Sequence, residues 1–379
     1  TWRDLMYRFL ERITPEQITA IAAQAFMEMQ LAGYASVGEF HYIHNQSGGQ
    51  RYDDLAELSL RIIEAAQQSG IGLTHLPVLY TYAGVDRAPL TGGQTRFHND
   101  TDSFSEIVTR TKKVALKYDN MQVGIAPHSL RATCISDIRR TLSDHPNGPV
   151  HIHIAEQQKE VRDVQSTLGS RPVEWLLDHI DVNDRWCLIH ATHMTHAESR
   201  AVAQSGAVAG LCPITEANLG DGFFDGPTFL SEGGRFGIGT DSNVNISMTE
   251  ELRLLEYSQR LRDEHRNILV DATSGSTGKS LFLGAALGGA QALDRDCGRI
   301  APGALADLIA IDSQSPRLCA LKKDQLFDGL VFASNDQTII DLWSAGRHQV
   351  KNGRHKSHDR ITTRFKSALN TLLADNFGV

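Results

Sequence analysis

The stretch PVHIHIAEQQKEV, Pro149 to Val161, decides how the rest of the chain is read. His151 and His153 lie two apart in an apolar run, so on a β-strand both project to one face. Glu156 follows three residues after His153. On a continuing strand it faces away; it joins His153 only if the strand ends near Ala155 and the chain turns. Taken alone, a histidine in such a run is a satisfied core residue more often than a ligand, by about two to one. The odds move with what the other strand ends carry.

Working outward, the same arrangement repeats. A short apolar run ends in polar residues, and a stretch of helical period follows. The runs are YASVGEFHY, IGLTHLPVLY, MQVGIAPHS, PVHIHIAE, WCLIHATH, AVAGLCPIT and RFGIGTDSN. Helical stretches such as YDDLAELSLRIIEAAQQSG and HAESRAVAQSG separate them, each stopped by glycine. Upstream, WRDLMYRFLERI and EQITAIAAQAFMEMQLAG read as two helices, with Thr14 as cap and Pro15 at the first helical position. Strands alternating with helices imply a parallel sheet. At this length a (β/α)8 TIM-type barrel leads, with its reactive groups at the C-terminal strand ends. The polar ends are His41, His128, Glu156, His190 and Asp241, which fits that expectation. Seven runs are present rather than eight; the eighth would precede Thr1, and an open doubly wound sheet is the alternative. From Gly298 the character changes to short β segments joined by glycine turns. The expected organisation is a barrel over 1–297, a small β-sandwich domain receiving 298–358, and a C-terminal helix over 359–379.

Composition bounds the function. The chain has 379 residues, 41% apolar and 22% charged, with net charge −8. That charge disfavours a nucleic-acid partner held through phosphates, and the basic stretch KNGRHKSHDRITTRFK reads as a solvated face. No apolar run approaches the ~18 residues of a membrane span, and no secretory signal opens the chain. Five cysteines without CxxC spacing indicate neither a disulfide framework nor a zinc knuckle. Cys187 and Cys212 sit in apolar runs as small hydrophobes, and a reducing cytoplasm is expected. A homodimer is compatible with the sequence.

Each candidate has a bland reading. Asp241 could be a helix N-cap, Glu156 a first-turn carboxylate, His190 a core histidine and Arg131 a surface arginine. None is strong singly. Histidine and carboxylate at several strand ends would nonetheless converge on one site, and one divalent metal ion, zinc first, suits such N/O donors. Iron and manganese accept the same donors. GSTGKS, Gly275 to Ser280, is set aside as a phosphate loop because Thr273 stands where the motif needs glycine.

The series HSLRA, HIHIAEQQKEV, WCLIHATH, TEANLGDG and GTDS, with WRDLMYR and EFHYIH upstream, resembles the formimidoylglutamate deiminases of the amidohydrolase superfamily, enzymes of histidine degradation. The resemblance runs from Thr1 through GRHQVKNGRH. It implies that His153 and Asp241 are zinc ligands, that Asp241 and His190 activate water, and that Glu156 carries a proton to the departing nitrogen. It further implies that Arg3, Tyr42, His128 and Arg131 hold the substrate's glutamate carboxylates. Arginine suits that task because its planar fork binds carboxylate in bidentate fashion. That family also carries an HxH pair at the end of its first barrel strand. The only HxH here is His151-Ile152-His153, so a missing N-terminal part is expected, and two ligands alone would hold zinc weakly. Two other readings stand beside it: a superfamily deaminase acting on a purine-like ring, for which two arginines have little use, and a metal-free binding homologue.

Overall fold

A computed structural model describes residues 2–271 and 274–377. All seven expected runs are parallel strands. They are β1 (Ser36–His41), β2 (Gly72–Leu79), a run broken into β3 (Met121–Val123) and β4 (Ala126–Pro127), β5 (Val150–Ile154), β6 (Trp186–His190), β7 (Val208–Leu211) and β8 (Arg235–Ile238). The break falls at Gly124, where a Cβ would stand 2.5 Å from the carbonyl of Pro149. The backbones approach too closely there for any side chain.

Backbone contacts divide the chain into two compact units. The first comprises residues 1–28, 36–150 and 355–379. In it β2 is the central strand, paired parallel with β1 (Ser36↔Gly72), β3 (Leu73↔Met121) and β4 (Val78↔Ala126). Every residue of β2 is buried, as a parallel strand covered on both faces must be. The opening helices are Trp2–Leu10 and Pro15–Leu31, the second begun by Thr14 and Gln17, each bonding the other's backbone N–H. The C-terminal helix His358–Phe377 returns to this unit: His355 Nε2–H donates to Ser69 O at 2.9 Å, and Thr362 to Gln24 Oε1 at 3.4 Å.

The second unit comprises residues 29–35 and 151–354. Its strands run in the order β5-β6-β7-β8, with Cys187 opposite Val208 and Val208 opposite Arg235. The helix Thr277–Ala292, rich in Gly and Ala, lies on β8. Its small residues are a packing requirement, since a Cβ on Gly288 would stand 1.9 Å from Phe236 O. The same unit holds the antiparallel strands β9 (Leu308–Ile311), β10 (Ile339–Ser344) and β11 (Arg347–Lys351), with the short β12 (Arg354–His355) beside β11. These are the β segments read after Gly298, and they form one sheet. No helix among the described residues is long and apolar enough to cross a membrane. Among them Cys187, Cys212 and Cys297 are buried, and all five cysteines are free thiols.

Candidate active site

The second unit gathers the reactive side chains at strand ends. β5 stops at Ile154, and Ala155 takes φ +51°, which turns the chain and swings Glu156 out of the strand's alternation. His190, the last residue of β6, and Asp241, beyond the end of β8, also have positive φ, +67° and +41°. Such backbone is uncommon for residues other than glycine and costs about 1 kcal/mol or more at each position. It persists because surrounding groups hold it. Glu160, buried in the first turn of the next helix, accepts the N–H groups of Ala155 and Glu156 at 3.1 Å each. Ala191 N–H donates to Ile154 O and His193 N–H to Ala155 O. The turn at Asp241 is fastened through Thr215, whose hydroxyl accepts Ser242 N–H at 3.2 Å.

These turns bring the expected residues together. His190 Nε2 stands 3.9 Å from Glu156 Oε1 and 3.9 Å from Asp241 Oδ2. The rings of His153 and His190 stack, centroids 5.6 Å apart and planes at 18°. On its other side His190 Nδ1–H donates to Glu216 Oε1 at 3.2 Å. The bland readings fail for two residues. The helix after β8 is capped by Ser247, not Asp241, and the helix after β5 begins at Gln158, beyond Glu156. For His151 the bland reading is right: it is buried and donates from Nε2 to Ala292 O at 2.7 Å, and burial brings its pKa down to about 4.

Carboxylates outnumber cations here. Desolvation alone would lower the pKa of His190, but the bond to Glu216 and the charges of Glu156, Glu216 and Asp241 raise it to about 9. Asp241 is raised by burial and by Glu156 and Glu216, and Asp221 by burial and Glu156. So many acids around one imidazole fit a divalent cation. Among the described residues, His190, Cys212 and Asp241 form one group whose ligand atoms all lie within 4.8 Å of one another. Asp241 was an expected ligand. His153, also expected, stands outside that trio but stacks on its histidine. Cys212 is the weakest member, because burial and the nearby Asp241 and Glu216 push its thiol far up and keep it uncharged.

The first unit holds the other expected residues. Tyr42 and His128 meet edge to face with centroids 5.8 Å apart. Tyr80 lies 4.6 Å from His128 and Phe97 4.8 Å from Tyr42. Arg131, three residues beyond His128, is half-buried in the turn after β4, next to Ala132, whose carbonyl accepts Thr81 and Tyr82 N–H. It is not a surface arginine. Arg3 is on the first helix, but its side chain lies outside the described residues. His41, at a strand end, belongs to the core: it packs against His44 and His75 with centroids at 5.7 and 5.2 Å. Burial lowers all three, His44 to about 4 and His75 to about 3.

GSTGKS is a helix start with its donors occupied. Ser276 caps Lys279 N–H at 3.1 Å, Asp328 Oδ1 accepts Gly278 N–H at 2.7 Å, and Lys279 Nζ pairs with Asp324 at 3.0 Å. Thr273 itself lies outside the described residues. Sequence reasoning missed Glu160, Thr215 and Glu216. The last two fall within TEANLGDG, one of the segments that carry the family resemblance.

A family model described as the amidohydrolase family matches residues 1–348. A formimidoylglutamate deiminase of Pseudomonas aeruginosa is 48% identical over 374 residues, 98% of this chain and 82% of that one. A 5-methylthioadenosine/S-adenosylhomocysteine deaminase of Bacillus cereus is 25% identical over 365 residues, 94% of this chain and 76% of that one. Among solved structures, an amidohydrolase from Brucella melitensis superposes with TM-score 0.94 at 46% identity, covering 98% of this chain and 82% of that one. A zinc-bound adenosine deaminase from Xanthomonas campestris superposes with TM-score 0.79 at 22% identity, covering 95% and 76%, and shares the fold. The fold class is therefore the (β/α)8 TIM type with a small antiparallel β-sheet.

Proposed function

This chain belongs to the amidohydrolase family, and we propose that it is a formimidoylglutamate deiminase, hydrolysing N-formimidoyl-L-glutamate to N-formyl-L-glutamate and ammonia. The observation that carries the reading is the convergence of His153, Glu156, His190 and Asp241 at strand ends in a chain 48% identical to such a deiminase along 98% of its length.

Zinc is the cation of this reading, with His153 and Asp241 to hold it and His190 alongside. Bound there it supplies Lewis acidity, which makes water a nucleophile at neutral pH. Asp241 takes a proton from the attacking water, and His190, fixed at Nδ1, orients that water with Nε2. A C–O bond forms at the formimidoyl carbon and the C–N bond to the terminal nitrogen breaks. Glu156 delivers the proton with which that nitrogen leaves as ammonia, a task suited to a carboxyl group beside the reacting atoms. Arg131, with Tyr42, His128 and Arg3, holds the substrate's two carboxylates.

The deciding experiment measures ammonia release by the purified protein from N-formimidoyl-L-glutamate and from adenosine, before and after chelation and zinc return. The reading expects turnover of the glutamate derivative alone, lost on chelation and restored by zinc. Preference for adenosine, or zinc-replete protein inert toward the glutamate derivative, overturns it. We also keep as proposals the domain organisation (barrel 1–297, small β domain 298–358, C-terminal helix 359–379) and a cytoplasmic location, which the free thiols support.

A further inference from the structure

Glu216 is a costly residue to place where it stands. It sits on the helix Pro213–Leu219 with its side chain 5% exposed, against a His190 side chain 1% exposed. Burying a carboxylate costs several kcal/mol before its partners are counted, and an amide would accept a hydrogen bond more cheaply. Its oxygen Oε1 accepts twice, from His190 Nδ1–H at 3.2 Å and from Cys212 N–H at 3.0 Å. The second bond ties the carboxylate to the start of its own helix, so the acceptor cannot swing away from the ring. The helix is itself fastened below, where Ile214 N–H donates to the buried Glu251 at 2.9 Å. The neighbouring Thr215 holds the turn that carries Asp241. One seven-residue helix therefore orients both the imidazole and the carboxylate facing it.

We propose that Glu216 is a positioning residue: by accepting Nδ1–H it fixes the rotation of the His190 ring and turns Nε2 toward Glu156 and Asp241. The arrangement is the same whether the ring is neutral or charged, because Nδ1 bears hydrogen in both states. Without that acceptor the ring is free to rotate about its side-chain torsions, and Nε2 no longer keeps its place facing Glu156 and Asp241. The catalytic part of this inference rests on the deiminase reading; the ring orientation does not.

The test uses Glu216→Leu, Glu216→Asp and Glu216→Gln. Glutamine keeps an acceptor oxygen at the same reach, aspartate withdraws it by one methylene, and leucine removes it. With zinc present, leucine and aspartate should lower kcat about 10–100-fold, the usual effect of losing a partner that orients an active-site histidine, with KM little changed. Glutamine should recover most of the loss. Independently, proton NMR of the metal-free protein should show a downfield, exchange-protected imidazole N–H, assigned by its disappearance in His190→Gln. That signal should persist in Glu216→Gln and vanish in Glu216→Asp and Glu216→Leu. A folded leucine or aspartate variant with wild-type kcat, or with the signal intact, overturns the proposal. Should leucine fail to fold, the aspartate–glutamine contrast decides. Wild-type protein that turns over no N-formimidoyl-L-glutamate refutes the deiminase reading instead, and the NMR contrast still decides the ring orientation.

Discussion

Removing one acceptor from Glu160 should loosen the turn that presents Glu156. Its two oxygens receive the Ala155 and Glu156 N–H groups at 3.1 Å each, from a residue only 3% exposed. A hydrogen bond to a charged group is worth about 1.5–3 kcal/mol net. Glu160→Gln keeps one acceptor and sets an NH2 group against the other backbone N–H, so about 2 kcal/mol is lost at the turn. That corresponds to roughly 30-fold greater opening, since each 1.4 kcal/mol is a factor of ten. Hydrogen exchange read on the amides of Ala155 and Glu156 should quicken by about that factor, while protection elsewhere in β5 holds. Adding Ala155→Gly should recover about 1 kcal/mol, because glycine adopts φ +51° without strain. Unchanged protection in Glu160→Gln would refute the clamp. So would an Ala155→Gly substitution that weakens the turn further.

Arg131→Ala should raise KM for N-formimidoyl-L-glutamate about 10–100-fold with kcat nearly unchanged, and Arg131→Lys should recover part of it; steady-state kinetics decide, and an unchanged KM removes the assignment. Each of three buried histidines should cost stability as pH falls below neutral. Burial holds His44 and His151 at about 4 and His75 at about 3 in the folded state, so between pH ~6.5 and those values the unfolded chain binds more protons and stability falls as pH falls, by about 2 kcal/mol per histidine at pH 5. The fall in urea midpoint from pH 7 to pH 5 should be smaller in His151→Gln than in the unsubstituted protein, and an equal fall would contradict this. Gly288→Ala should force the helix Thr277–Ala292 off β8, costing about 3 kcal/mol or more, since its Cβ meets Phe236 O at 1.9 Å; thermal denaturation checks it, and a wild-type midpoint rejects it.

The strands were legible because each is a short apolar run between polar ends, and period two placed His151 and His153 on one face. What came next was not. Whether Glu156 meets His190 depends on the left-handed backbone at Ala155, and alanine carries no mark of such a conformation. Glu160 and Glu216 look like ordinary acids in a helix's first turn. Their roles arise from which strand end each helix start abuts, a tertiary fact. Cys212 was read as a small hydrophobe, which its buried, uncharged thiol supports, yet it shares a 4.8 Å cluster with His190 and Asp241. The meeting of His41, His44 and His75 depends on the register that sets His41 against Pro77, and no spacing along the chain announces it. The phosphate-loop likeness was rejected on one residue, and the structure adds the reason: Asp328 and Asp324 occupy its donors.

The first unit is stitched from three separate lengths of chain, the last being residues 355–379. During synthesis the second unit therefore has its whole sequence available before the first does. The opening helices and β1 to β4 emerge early but wait for His355 and the closing helix, whose bonds to Ser69 and Gln24 complete their packing. Synthesis interrupted before residue 355 leaves the first unit unfinished, however well the second has folded.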